Sequence, residues 1–225
     1  MAQRPYVLLS AAMSADGYID DAAGHGLELS DEADWDRVDE LRATSDAIMV
    51  GARTIRANNP RLLVKSPERQ RRRVAGGLPP HPRRVTVTGT GDLDPGARFF
   101  ADPVPPLVYA PETVAARITG ALWPTAVVVA VPALPAPSGR ADLNWLLTDL
   151  AARGVGRLMV EGGATVLGQF LAAGLADEFL LAVAPVFVAD ARAPRLLAGG
   201  APAGRMRLAG LSQAGDMAVL RFLPG

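Results

Sequence analysis

Apolar residues fall along this chain in short unbroken runs, and helical periods separate them. Runs at 6–12, 47–50, 85–88, 107–110, 126–131, 157–161, 178–184 and 218–223 have strand length and are bounded by turn residues. Runs of this kind are strands of a sheet covered on both faces. Between them, 142–153 carries Leu143, Leu146, Leu147 and Leu150 on one helical face, and Gly154 closes it. A second helix passes through Trp35, Val38 and Leu41, with Ser30 as its N-cap and Asp31 and Glu32 at the positive end of its dipole. Asp34, Asp36, Asp39 and Glu40 then fall mainly on its wet face. Shorter elements are expected at 54–58, 111–121 and 164–173, the last capped by Gly174. The stretch 66–84, rich in Arg, Gly and Pro, predicts a surface loop, and 132–139 a second loop. Strands alternating with helices predict an α/β fold with a largely parallel sheet and helices on both faces, in a single domain over 1–225.

Composition narrows the chemistry. The 225 residues hold 23 basic and 23 acidic side chains and no cysteine. Zero net charge argues against nucleic acid as a partner, because phosphate binding needs surplus cations. For the same reason, and for want of interleaved aromatics, the arginines of 66–84 read as a solvated surface. Without cysteine there is no disulfide, thiolate nucleophile or iron–sulfur cluster. The two histidines, His25 and His81, cannot build a His-rich metal site, and no metal is expected. Lys65 is the sole lysine. No run is long enough to span a membrane. The stretch from Arg4 through the first apolar run reads as a buried strand rather than a signal peptide, which leaves the cytoplasm as the expected location.

The nucleotide fingerprints are missing. The Gly-x-Gly sites begin at Gly24, Gly89 and Gly154, and none carries the third glycine of a Rossmann turn. There is no phosphate-binding loop of the Gly-Lys-Ser/Thr type. Two other turns remain. Glu161-Gly162-Gly163-Ala164-Thr165 runs from a strand into a helix, and Val50-Gly51-Ala52-Arg53-Thr54 does the same. Glycine lets a ligand reach the backbone, and a helix start offers free N–H groups to a phosphate. Glu161 ends its strand at the edge where open α/β sheets bind ligands.

Five blocks carry a resemblance. They are 5–17 ending in Ser14-Ala15-Asp16-Gly17, 41–51 with Thr54, 59–65, 160–163, and 174–178 with Ala184-Pro185. In order and spacing the chain resembles the pyrimidine reductases of riboflavin biosynthesis, whose fold is that of dihydrofolate reductase. The resemblance implies hydride transfer from NADPH to the ribosyl C1′ of a phosphoribosylaminopyrimidine, in a homodimer. It implies that Gly51, Thr54, Thr88, Gly162, Gly163 and Thr165 line the cofactor, with Asp16 ordering the first loop. Arg42, Lys65, Ser10 and Leu62 would meet the substrate, with Arg42 on its phosphate or, failing that, in a surface ion pair with Asp39 or Asp46. Asn58 and Glu161 would face the reacting end. Four positions depart from the family pattern. Ser10 stands where Lys is frequent, Asn58 where Asp is usual, and Lys65 where Arg is usual; Thr88-Gly89 and Asp92 replace an Asp-Ser pair and a following Arg. Asn58 leaves Glu161 as the remaining carboxylate, and Asp92 would repel a 2′-phosphate, which keeps NADH open beside NADPH. Two alternatives stand beside this reading: a reductase of a pteridine-like heterocycle, and a catalytically silent nucleotide-binding homologue.

Overall fold

The computed structural model describes residues 4–23, 26–135, 140–197 and 204–225. Gly24, His25 and the end of the 132–139 loop lie outside the described residues. One nine-stranded sheet runs in the order β5-β4-β3-β2-β6-β1-β7-β9-β8. Its strands are β1 Tyr6–Ser14, β2 Ala47–Gly51, β3 Arg83–Val87, β4 Leu107–Pro111, β5 Val127–Val131, β6 Arg157–Gly162, β7 Glu178–Ala184, β8 Met206–Ala214 and β9 Met217–Pro224. The helices are α1 Glu32–Ala43, α2 Ala52–Asn58, α3 Pro67–Ala75, α4 Glu112–Leu122, α5 Leu143–Ala152 and α6 Ala164–Ala172. From β5 to β7 every pairing is parallel, and β9 and β8 add an antiparallel hairpin at one edge.

The strand period of two divides the interior into two cores. Val7, Leu9, Ala47, Met49, Leu158 and Val160 face Leu146, Leu147, Leu150 and Phe170 of α5 and α6. Their neighbours Leu8, Ile48, Val50 and Met159 face Val38, Ile55, Ile118 and Leu122 of α1, α2 and α4. Helices therefore cover both faces, as the apolar runs require.

Three expectations need correction. The stretch 66–84 is a loop only over 76–82: α3 begins at the Ser66 N-cap with Pro67 in its first turn and ends at Ala75, and Arg83 and Arg84 belong to β3. Its arginines are not simply solvated. Arg69 binds Asp36, Asp39 and Glu40, while buried Arg73 donates to the carbonyls of Ala43, Ser45 and Pro79. A helix fixed by guanidinium contacts carries no apolar period to read. The wet face of α1 is only half wet, for Asp34 and Asp39 are buried. Asp34 accepts from Ser30 and Arg37, and Asp39 accepts from the N–H groups of Lys65 and Ser66. The N-cap of α1 is Asp31 rather than Ser30, one residue later than expected, because its carboxylate takes the Asp34 N–H.

Candidate active site

The carboxyl ends of β2 and β6, paired in parallel, bring both glycine turns together. Gly162 adopts φ +115°, a backbone that only glycine takes without strain. A Cβ on Gly163 would lie 2.9 Å from the Thr54 hydroxyl, and one on Gly51 would lie 2.8 Å from Val166. The turns thus need glycine for mutual packing before any ligand is considered. Their helix starts differ from most others in the chain. Asp31, Ser66 and Asp142 cap α1, α3 and α5 with side chains, whereas Gly51 and Gly163, like Pro111 before α4, leave the first turns of α2 and α6 without a side-chain cap. Open first-turn N–H groups at a strand's carboxyl end suit a pyrophosphate, so the residues present fit a dinucleotide. Thr165 is exposed on the first turn of α6.

Beside this edge lies a closed ion pair. Arg42, in the last turn of α1, donates through Nε and Nη2 to the two oxygens of Glu161 at 2.7 and 2.8 Å. Its third nitrogen reaches the Leu63 carbonyl at 3.2 Å. The side chains are 9% and 13% exposed. Burial works against the Arg42 charge, but the facing carboxylate outweighs it, and the guanidinium binds its proton more firmly than a free arginine. The pair is neither on the surface nor with Asp39 or Asp46. Ser10 follows Leu9, the partner of Val160, and so stands level with Glu161 on the neighbouring strand and the same sheet face. Leu62, buried at φ +55°, sets the course of the chain past Arg42.

Other expected site residues stand apart. Lys65 lies over the Trp35 ring at 5.1 Å and lines an open cavity of about 670 Å³ with Glu28, Ser30, Asp31 and Asp39. Asn58 ends α2 and is exposed, ~9 Å along the helix from Ala52 at 1.5 Å per residue. Thr88 turns inward, and its hydroxyl accepts from the N–H groups of Gly91 and Thr90. Asp16 accepts from the Ser14 hydroxyl and the N–H groups of Val188 and Ala189, tying the turn after β1 to the segment after β7. These bonds, that of Ser14 foremost, hold its carboxyl below the usual range. The sequence reading missed Arg56, which binds Asp92 across the β2 and β3 ends, since nothing in the local pattern marks an exposed helical arginine.

A parallel sheet with an antiparallel edge hairpin, and with ligand-ready turns on its central strands, is the architecture of the dihydrofolate-reductase-like proteins. Within that class the chain belongs to the RibD C-terminal domain family, whose model matches residues 5–220. It is 36% identical over 217 residues to the 2,5-diamino-6-ribosylamino-4(3H)-pyrimidinone 5′-phosphate reductase of Archaeoglobus fulgidus, covering 95% of both chains. To the enzyme of the same name from Methanothermobacter thermautotrophicus it is 38% identical over 196 residues, 87% of this chain and 85% of that one. The Acinetobacter baumannii RibD structure superposes with a TM-score of 0.76 at 25% identity; the match covers 99% of this chain and 58% of that one. Among the described residues no helix is long and apolar enough to cross a membrane.

Proposed function

We propose that the chain is a nicotinamide-dependent reductase of a ribosylaminopyrimidine 5′-phosphate in riboflavin biosynthesis. The observation that carries this reading is the buried Arg42–Glu161 pair beside two uncapped helix starts, in a chain whose full-length relatives bear that reductase name. NADPH is the proposed cofactor; when bound it would supply the hydride for C1′ of the opened, imine-like sugar. The α6 first turn from Gly163 through Thr165 would hold the pyrophosphate, with Gly51 and Thr54 closing the opposite wall and Thr88 shaping the loop beyond. Asp16 orders the turn on the nicotinamide side.

Glu161 would face the reacting end, where its carboxylate favours the protonated, iminium form of the opened sugar whose charge the hydride then neutralises. Arg42 has all three nitrogens engaged, two on Glu161 and one on Leu63. It therefore acts as a positioning residue, fixing the carboxylate plane, and Lys65, two residues beyond the Leu63 carbonyl that Arg42 holds, is the cation left for the substrate phosphate. Ser10 and Leu62 flank the sugar. Asn58 offers an amide to the substrate where a carboxylate would have transferred a proton.

The test is turnover of NADPH with 2,5-diamino-6-ribosylamino-4(3H)-pyrimidinone 5′-phosphate, beside 5-amino-6-(5-phosphoribosylamino)uracil and dihydropteridine substrates. Ribityl product from the first or second substrate supports the reading. Turnover of the dihydropteridine alone sinks it, and cofactor binding without any turnover marks a silent homologue.

A further inference from the structure

Lys65 is tied down at its backbone and loose at its head. Asp39 accepts from the N–H groups of Lys65 and Ser66, Gln70 donates to the Val64 carbonyl, and Arg42 donates to the Leu63 carbonyl. The strap 63–66 is therefore held by α1 on one side and α3 on the other. The Lys65 ammonium has no such anchor. Among the described residues no carboxylate pairs with it, and it rests on the Trp35 ring, 5.1 Å from the centroid. Trp35 and Asp39 are four positions apart on α1, so the ring shares a helix stripe with the carboxylate that pins the Lys65 backbone. Both Trp35 and the Lys65 side chain are exposed. Glu28, Asp31, Glu32, Asp36 and Asp39 line the cavity around this contact. The second cation of the cavity, Arg69, is already bound to Asp36, Asp39 and Glu40.

We propose that Trp35 is a positioning residue for Lys65: its ring holds the ammonium in a resting pose until a substrate phosphate draws it off. The inference rests on the reductase reading above. The acidic cavity repels a phosphate from the place where the ammonium rests, so Lys65 has to leave the ring to serve one. The distance is short. At most roughly 7 Å of extended chain separates Lys65 from Leu63, whose carbonyl meets Arg42 beside Glu161. A flexible four-carbon stem carries the ammonium from one side to the other while the strap stays in place. A charge-assisted contact with phosphate outweighs an exposed cation–π contact, so the transfer runs toward the substrate. A ligand without the phosphate leaves the ammonium where it is. The ring thus weakens binding of the phosphorylated substrate by the strength of one exposed cation–π contact, about two- to fivefold. It has no hold on the chemical step, which lies at Glu161.

The experiment measures kcat and KM of the intact chain for the 5′-phosphate substrate named above. The dephosphorylated riboside is the control, read as a substrate or as a competitive inhibitor. The variants are Trp35→Leu, Trp35→Phe, Lys65→Met and the double variant Trp35→Leu with Lys65→Met, and far-ultraviolet circular dichroism checks that each folds. Trp35→Leu should lower KM for the phosphorylated substrate about two- to fivefold, with kcat and riboside affinity within about twofold of wild type. Trp35→Phe keeps a weaker ring face and should fall between. In the Lys65→Met background Trp35→Leu should no longer change KM, because no ammonium is left to rest on the ring. Millimolar ribose 5-phosphate should also shift the tryptophan emission of wild type and not that of Trp35→Phe, with Trp123 and Trp145 as the constant background. A raised or unchanged KM in Trp35→Leu overturns this inference. An equal KM effect with and without Lys65 overturns it too and makes Trp35 a packing residue, as does wild-type emission that ribose 5-phosphate leaves unchanged. Wild-type turnover persists in each of those cases, so the reductase reading stands. Absence of wild-type turnover overturns the reductase reading, and this inference with it.

Discussion

Two groups of arginine–carboxylate contacts on α1 use the same chemistry for different ends. At its carboxyl end, Arg42 and Glu161 form a closed two-armed pair with both side chains largely buried. Along its outer side, Arg69 of α3 spans three acids, of which Asp36 is 68% exposed and Asp39 is 5% exposed. The first pair gathers charge at the carboxyl edge of a central strand, where ligands meet parallel sheets. The second fastens a short arginine-rich helix that has almost no apolar face of its own. Desolvation sets the difference: losing one partner of a buried pair strands a charge, whereas an exposed network re-solvates what remains.

Breaking the buried pair should have the largest effect. Arg42→Ala leaves Glu161 without its counter-ion and should cost about 3–5 kcal/mol of stability, read from urea unfolding. Glu161→Gln keeps the shape of the pair and removes the charge. It should lower turnover by roughly 10²-fold or more while leaving NADPH affinity nearly unchanged. Arg42→Lys restores the charge but not the fork, so it should recover most of the stability and only part of kcat, with KM close to wild type. Full turnover in Glu161→Gln would show that the pair is a packing device, no different in kind from the Arg69 network.

The glycine turns sharpen the contrast from the opposite side. Gly163→Ala should bring a methyl within 2.9 Å of the Thr54 hydroxyl, and backbone shifts of this kind cost about 1–3 kcal/mol. Combined with Thr54→Ala, which removes that hydroxyl, the loss should be less than additive in a double-mutant cycle. Additive losses would mean that the two turns do not press on each other. Gly163→Val should in addition weaken NADPH binding by roughly tenfold, since a branched side chain stands between the ligand and the first-turn N–H groups.

The two regions also differ in how readable they are. Strand ends followed by glycine and a helix are local signals, so both turns were visible from spacing, and so were eight of the runs that became strands. The Arg42–Glu161 contact joins residues 119 positions apart; Glu161 was legible from its strand end, but Arg42 was marked only by the family pattern. α3 was missed because guanidinium contacts, not an apolar stripe, hold it. β8 was missed because, at the edge, it is exposed over most of its length, and Arg207, Leu208, Gly210 and Leu211 show neither a continuous run nor a clean alternation. Asp39 looked wet because the backbone N–H groups of Lys65 and Ser66 that bury it come from a later segment.

The smallest effect belongs to the Arg69 network, and its pH dependence has a definite sign. Hydrogen bonds from Arg69 hold the Asp36 carboxyl below its usual range, and those from Arg72 and then Arg69 do the same for Glu40. A carboxyl whose folded value is depressed binds fewer protons folded than unfolded. Its contribution is present above the unfolded value, near 4, and disappears as pH falls through the lower folded value. Arg69→Gln removes the common partner, so wild type and variant should differ in Tm at pH 7 and converge as pH falls below about 4. With Asp36 and Glu40 both in contact with water, the difference at pH 7 should be small beside the loss caused by Arg42→Ala. Asp39 keeps its two backbone donors after Arg69 is gone, so the variant should still fold cooperatively. A Tm gap that holds constant from pH 7 to pH 3 would show that Arg69 stabilises α3 through its aliphatic stem rather than its charge. A gap of several kcal/mol at pH 7 would place this network in the same energetic class as Arg42–Glu161.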